Sequence, residues 1–254
     1  MPAGGLIYLS FKAADGLAQA AQQLFPELEA GKSMPCALLP TGACLYLGER
    51  AELRASLSTD KHPFYLDLLA PKLRWRIEHP GAEALLRACG NKLSPGGHIY
   101  DATAGMGRDA LLLSSRGFAV TMFERQPIIY LLLFDALNRA KMAGVYNFIL
   151  PTLHYGTALA ATASSLPEVI YYDPMFPPRR KEALVKKEMQ VFHQLVGFDT
   201  DIEATAGSLL RLCTKRLVIK RPAGAVAVSA PGLKPAYQVD GGGCRFDCYL
   251  PPKA

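Results

Sequence analysis

Little in this chain ties it to a membrane, a metal or an oxidising compartment. Its six cysteines, Cys36, Cys44, Cys89, Cys213, Cys244 and Cys248, form no C-x-x-C pair. None stands with histidine at zinc-finger spacing, so reduced, mostly buried thiols are expected and no metal site is. The apolar stretch from Ile128 is interrupted by Asp135, well short of the ~18 residues that a membrane span requires. The N-terminus lacks a basic start followed by an apolar core, which leaves no signal peptide to expect. These absences lead to the expectation of a soluble, cytoplasmic protein with no membrane partner. Repeats and low-complexity segments are missing as well.

What is present fits a globular protein. Of 254 residues, 50% are hydrophobic and 20% charged, which excludes a disordered or fibrous chain. The length suits one large α/β domain, or one domain with a small accessory unit. Lys and Arg total 28 against 22 acids, a net charge of +6. That excess is a mild pointer to an anionic partner.

Two rhythms divide the chain. Up to about residue 80 the elements are short. A strand is expected in Gly5–Phe11, followed by a helix with Leu17, Ala21, Leu24 and Phe25 on one face. Strands are expected at ALLP and CLYLG around the turn Pro40-Thr41-Gly42, and another through Phe64-Tyr65-Leu66. Residues 1–80 therefore read as a small α+β domain. From a helix over about 81–90, strands and helices alternate: HIYDA, AVTMFE, a helix from Ile128 to Met142, a strand ending near His154, then EVIYYD. Helices over about 181–196 and 199–213 and the strand RLVIKR follow. Short apolar strands in this alternation predict a doubly wound, mostly parallel Rossmann-like sheet over 81–254. AYQVD and CRFDCYL around three glycines read as an antiparallel hairpin closing that sheet.

The chemistry gathers at strand ends. Asp101-Ala-Thr-Ala-Gly105-Met-Gly107-Arg108-Asp109 sits where a strand turns into a helix. Gly105 and Gly107 lack Cβ, so a ligand can approach the backbone, and the helix beyond opens with free N–H groups. Glu124, 23 residues after Asp101, ends the next strand, where a carboxylate can accept from both ribose hydroxyls of a nucleoside. Two ligand classes fit. Gly105-x-Gly107-x-x-Ala110 has the form of a dinucleotide fingerprint, which would make the protein a nicotinamide-dependent oxidoreductase. Asp101 before the turn favours S-adenosylmethionine, since a carboxylate there repels a pyrophosphate.

Tyr171-Tyr172-Asp173-Pro174-Met175-Phe176-Pro177 ends the fourth core strand, on the same rim. Asp173-Pro174-Met175-Phe176 matches the (Asp/Asn)-Pro-Pro-(Tyr/Phe) pattern of methyltransferases that modify planar amines. Such an amine delocalises its lone pair into the ring and is a poor nucleophile. An acceptor at Asp173 can localise that pair and take up the proton, help typically worth ~10²–10⁴ in rate. Phe176 can stack on an extruded base, and Pro174 restricts the loop. The motif by itself admits a guanine, a DNA adenine or a protein glutamine amide.

DATAGMGRDA, FERQP, YYDPMFPPRRKEALVKKEM, KRLVIKRP and CRFDCY together resemble the bacterial 16S ribosomal RNA (guanine-N2)-methyltransferase J family, most clearly from about Tyr100 to Tyr249. The resemblance implies a class I S-adenosylmethionine-dependent methyltransferase domain behind a small N-terminal domain. It also implies methyl transfer to N2 of a guanosine near the 3′ end of 16S rRNA in the small ribosomal subunit. Carried residue by residue, it implies cofactor contacts at Arg108, Asp109, Glu124, Arg125 and Asp173. A further cofactor contact is carried to Gly156 and Thr157, which stand where the family has a Ser-Ser pair, and Cys244 stands where relatives often have His.

Arg179, Arg180, Lys181, Lys186 and Lys187 follow the Asp-Pro motif with one opposing acid, Glu182. They are candidates for phosphate contacts that place RNA over Asp173. Lys215, Arg216, Lys220 and Arg221 form a second basic group, with either a phosphate-binding or a structural role.

Overall fold

The computed structural model describes residues 4–54, 63–79, 81, 83–161, 166–176, 195 and 197–252. They fall into two compact units. The described residues of Met1–Leu69 and Gln126–Val145, with Leu195 and Gly197, form the first, and those of Ala70–Arg125, Tyr146–Pro177 and Phe198–Ala254 the second.

In the first unit, β1 (Gly5–Leu9), β2 (Ser33–Cys36), β3 (Cys44–Leu47) and β4 (Ala51–Arg54) make a sheet of order β2-β1-β3-β4. β1 pairs antiparallel with β2 and parallel with β3. The expected strand at ALLP is instead a turn, and the strand lies just before it, at Ser33–Cys36. Pro35 cannot donate to a ladder, and it is accommodated because β2 is an edge strand. The expected strand at Phe64–Leu66 reduces to one bridge, Leu53 to Phe64. Helix α1 (Asp15–Leu24) buries Leu17, Ala20 and Ala21, while Leu24 and Phe25 are only partly buried.

The second unit carries α2 (Pro71–Glu78), α3 (Ala84–Gly90), β5 (His98–Asp101), α4 (Arg108–Ser114) and β6 (Ala119–Glu124). Helix α5 (Pro127–Ala143) then runs in the first unit. Pro127 stands at its first position, and the Gln126 side chain accepts from the Ile128 and Ile129 N–H groups; Gly144, at φ 61°, ends it in the left-handed conformation. β7 (Thr152–Tyr155), β8 (Val169–Tyr172), α6 (Ile202–Leu212), β9 (Arg216–Pro222), β10 (Tyr237–Asp240) and β11 (Cys244–Tyr249) complete the second unit. α2 has no counterpart in the sequence reading.

The seven-stranded sheet has the order β10-β11-β9-β8-β5-β6-β7. β9, β8, β5, β6 and β7 run parallel, and β11 lies antiparallel between β9 and β10. This is the Rossmann-like sheet with a closing antiparallel hairpin. All four residues of β8 are buried, as are Leu217, Val218 and Ile219 of β9, because layers cover both faces of a parallel sheet. After β5 the chain builds outward through β6 and β7, then returns to the other side of β5 with β8 and β9. The reversal opens a crevice beyond the carboxyl ends of β5 and β8, where open α/β sheets bind ligands.

Candidate active site

Register delivers the site residues to that crevice. Asp101 pairs with Met122 of β6 and with Tyr171 of β8. Glu124 and Asp173 each lie two residues further along the flanking strands and so return to the same face. Tyr172 pairs with Ile219 of β9, which brings Lys220 level with Asp173.

The glycine loop wraps the first of these carboxylates. Gly105 and Gly107 have φ of 52° and 70°, a region that side chains with Cβ rarely enter. Gly107 caps α4. The Gly105 N–H donates to Glu124 Oε2 at 3.0 Å, so the loop and the end of β6 are one piece. Asp101 is 1% exposed and accepts from the Thr103 N–H at 3.0 Å. Burial pushes its carboxyl up to about 8, and Asp109, Asp173 and Glu124 push the same way against the Thr103 bond.

Asp109, in the first turn of α4, is the most heavily tied carboxylate. Arg76 Nη1 lies 3.3 Å from its Oδ1. The Tyr171 hydroxyl donates to Oδ2 at 2.8 Å, and Lys220 Nζ lies 3.2 Å from the same oxygen. Burial opposes its charge, but Lys220 and Arg76 outweigh burial and hold it below its ordinary value. Lys220 also reaches Asp173 Oδ2 at 2.8 Å. Crowding by protein atoms raises Asp173 above its ordinary value, and Lys220 offsets part of the rise. The Asp173 side chain keeps 36% of its surface open, so a substrate group can reach it.

Two further bonds hold the Asp173 loop. The Asp173 N–H donates to Thr103 Oγ1 at 2.7 Å, linking it to the glycine loop. Beyond it, Asp199 accepts from the Met175 N–H at 2.7 Å and donates its own N–H to the Met175 carbonyl at 2.9 Å. Asp199 also pairs with Arg125, so Arg125 links the end of β6 to the Asp-Pro loop. Pro174 is buried, and Phe176 packs against the core under β8 and β9. The Arg221 guanidinium covers one face of the Phe176 ring, 3.8 Å from its centroid.

Gly156 follows β7, and its N–H donates to the Glu124 carbonyl at 2.9 Å, which puts it beside Glu124 on the rim. Thr157 is exposed next to it, and Arg108 is exposed at the start of α4. Asp101, Gly105, Gly107, Asp109, Glu124, Gly156 and Asp173 thus converge on one crevice. Arg179, Arg180, Lys181, Lys186 and Lys187 lie outside the described residues, as does the helix expected over about 181–196 except for Leu195. The second basic group is engaged locally: Lys215 pairs with Glu168, and Arg216 binds Tyr237 and the Asn91 carbonyl. Thr103, Arg76, Tyr171 and Asp199 were not singled out in the sequence. Thr103 and Tyr171 have a signal in the sequence, Thr103 inside the glycine loop and Tyr171 at the head of the Asp-Pro motif, while Arg76 and Asp199 have none. No group of three or more His, Cys, Asp or Glu among the described residues could hold a metal ion, and no described helix is long and apolar enough to cross a membrane.

Comparison with known proteins shows the family. Residues 38–251 match a family model described as "Putative SAM-dependent methyltransferase". Ribosomal RNA small subunit methyltransferase J of Thioalkalivibrio sulfidiphilus is 37% identical over 249 residues, covering 94% of this chain and 95% of that protein. The protein of the same name from Marinobacter nauticus is 43% identical over 195 residues, covering 74% and 69%. A crystal structure of an SAM-dependent methyltransferase from Neisseria gonorrhoeae superposes with a TM-score of 0.70 at 28% identity, covering 98% of this chain and 96% of that one. The glycine loop, the acid at the end of β6 and the Asp-Pro loop thus stand in a chain that belongs to the ribosomal RNA small subunit methyltransferase J family of S-adenosylmethionine-dependent methyltransferases.

Proposed function

We propose that this protein methylates the exocyclic N2 amine of a guanosine near the 3′ end of 16S rRNA in the small ribosomal subunit, with S-adenosylmethionine as the methyl donor. One observation carries the reading: Asp173, open on one side and fixed by Lys220 and Thr103, shares a rim with Glu124 and the Gly105–Gly107 loop.

The crevice fits the cofactor. Buried Asp101, with Asp109 and Asp173 near it, suits a ligand with sulfonium and ammonium charges and repels a pyrophosphate. This argues against a nicotinamide dinucleotide. Glu124 would hold the ribose hydroxyls, with Gly156 and Thr157 beside it. Asp101, Arg108, Asp109 and the Gly105–Gly107 backbone would hold the remainder, and Arg125 would brace the rim through Asp199. When bound, the cofactor supplies an electrophilic methyl group.

The protein's own part is to prepare the amine. Asp173 accepts a hydrogen bond from it, localises its lone pair and receives the proton lost after transfer. A raised pKa makes Asp173 a stronger base than an ordinary carboxylate. Lys220 occupies its Oδ2, which orients the carboxylate, and Thr103 fixes its backbone. Pro174 and the Asp199 clamp on Met175 limit the loop's freedom, so alignment of amine and donor is built in before substrate arrives. Phe176, backed by Arg221, offers an aromatic surface beside the amine. Arg179, Arg180, Lys181, Lys186 and Lys187 would hold the RNA backbone.

The test is to incubate the protein with labelled S-adenosylmethionine and small subunits isolated without this methylation. Label in 16S rRNA is the expected result. No incorporation, with an active control enzyme in parallel, overturns the reading.

A further inference from the structure

Helix α2 has an outward face for which the crevice gives no use. Its eight residues bury only Leu73 and Ile77. The helix reads PKLRWRIE, with three cations and one acid, and Lys72, Arg74 and Trp75 are all exposed. Trp75 is the chain's single tryptophan and is 62% exposed. Its ring stacks on His79, with centroids 5.0 Å apart and planes at 18°. Among the described residues Arg74 makes only a long surface pair with Glu78, at 3.8 Å.

The same helix is wired to the crevice. Arg76, next to Trp75, bonds Glu83 and reaches Asp109, which shares Lys220 with Asp173. An exposed indole flanked by cations, on an element that touches the cofactor loop, has the composition of a nucleic-acid stacking platform. Aromatic faces take bases of any identity, and nearby Lys and Arg hold phosphates. A methyltransferase that extrudes its target base must offset the lost stacking. A platform that stacks a flanking base does this.

We propose that Trp75, with His79 beneath it and Lys72 and Arg74 beside it, stacks a nucleotide flanking the methylated guanosine. The inference rests on the reading that RNA is the substrate. Because Trp75 is the only tryptophan, its intrinsic fluorescence reports on this one site. The full-length protein is titrated with a fluorescein-labelled single-stranded RNA covering the 3′ end of 16S rRNA. Binding is followed by anisotropy, and Trp75 emission with the same RNA unlabelled. The expected result is quenching with the same midpoint as the anisotropy change, a midpoint that weakens as salt rises. Trp75→Ala is expected to weaken RNA binding about tenfold with cofactor affinity unchanged, and Trp75→Phe to retain most of the binding. RNA binding without any change in Trp75 emission overturns the inference and leaves the substrate reading intact. The absence of any RNA binding overturns the inference, while the labelling of small subunits decides the substrate reading separately. A Trp75→Ala protein that binds RNA normally but methylates assembled subunits poorly places a ribosomal protein on this face, and this also overturns the inference.

Discussion

Lys220 lies 2.8 Å from Asp173 and 3.2 Å from Asp109, so one ammonium group ties the Asp-Pro loop after β8 to the first turn of α4. The arrangement follows from register, since β8 and β9 run parallel with Tyr172 opposite Ile219. Lys220→Met removes the charge that keeps Asp173 ionised against its crowded surroundings. Its pKa then rises further, and the active, ionised form appears only at higher pH. Turnover at pH 7 is expected to fall about 10²-fold, with the acid limb of the kcat profile displaced upward. Lys220→Arg should keep the limb close to its original position. An unchanged limb in Lys220→Met would mean that the lysine only supports the fold.

Asp173→Asn keeps the shape of the loop and removes the proton acceptor. A fall of ~10²–10⁴ in kcat is expected, with cofactor affinity reduced only a few-fold. Single-turnover kinetics beside calorimetric binding of S-adenosylmethionine separates the two effects. Wild-type turnover would remove Asp173 from the chemistry.

On the proposed function, Asp101 links cofactor binding to pH. Its carboxyl is pushed up to about 8 in the free protein, and a cationic ligand group beside it favours the ionised form. Below pH 8, binding must therefore expel a proton. Affinity is expected to rise as pH increases towards 8 and to level off above it, with proton release visible as a dependence of the calorimetric heat on buffer. The same burial destabilises the fold, because the unfolded chain ionises this group near its ordinary value of 3.8 while the folded chain resists until about 8. Asp101→Asn should therefore raise Tm relative to wild type by an amount that grows from pH 4 to pH 8. A constant Tm difference across that range would contradict the assignment.

Thr103 tests whether the Asp-Pro loop must be fastened. Thr103→Val preserves the shape and leaves the Asp173 N–H without its 2.7 Å partner, a loss of roughly 1–3 kcal/mol for a buried donor. The expected signature is a lower kcat with little change in the cofactor's KM, and recovery in Thr103→Ser. Equal losses in kcat and in cofactor binding would instead point to a collapsed glycine loop.

Much of the second unit is written in its sequence, because both-sides-buried strands and Pro- or Gly-bounded helices announce themselves. Strand β6 is AVTMFE as expected, and in the first unit α5 differs from its expected span by one residue at each end. Asp101, Glu124 and Asp173 were legible because strand ends of a parallel sheet share a rim. Other features left no local signal. Helix α2 has only Leu73 and Ile77 as an apolar pair, too few for a period to emerge. Pro35 disguises β2 as a loop. The roles of Arg76, Asp199 and Lys220 depend on partners 33, 24 and 47 residues away, and such pairings exist only once the sheet has formed.

The most direct test of the central claim is to digest 16S rRNA after reaction with the purified protein and identify the methylated nucleoside by mass spectrometry. The account predicts N2-methylguanosine at one position near the 3′ end, absent when Asp173→Asn replaces the wild-type protein. A methyl group on adenine, on another atom of guanine or on a ribosomal protein would contradict it.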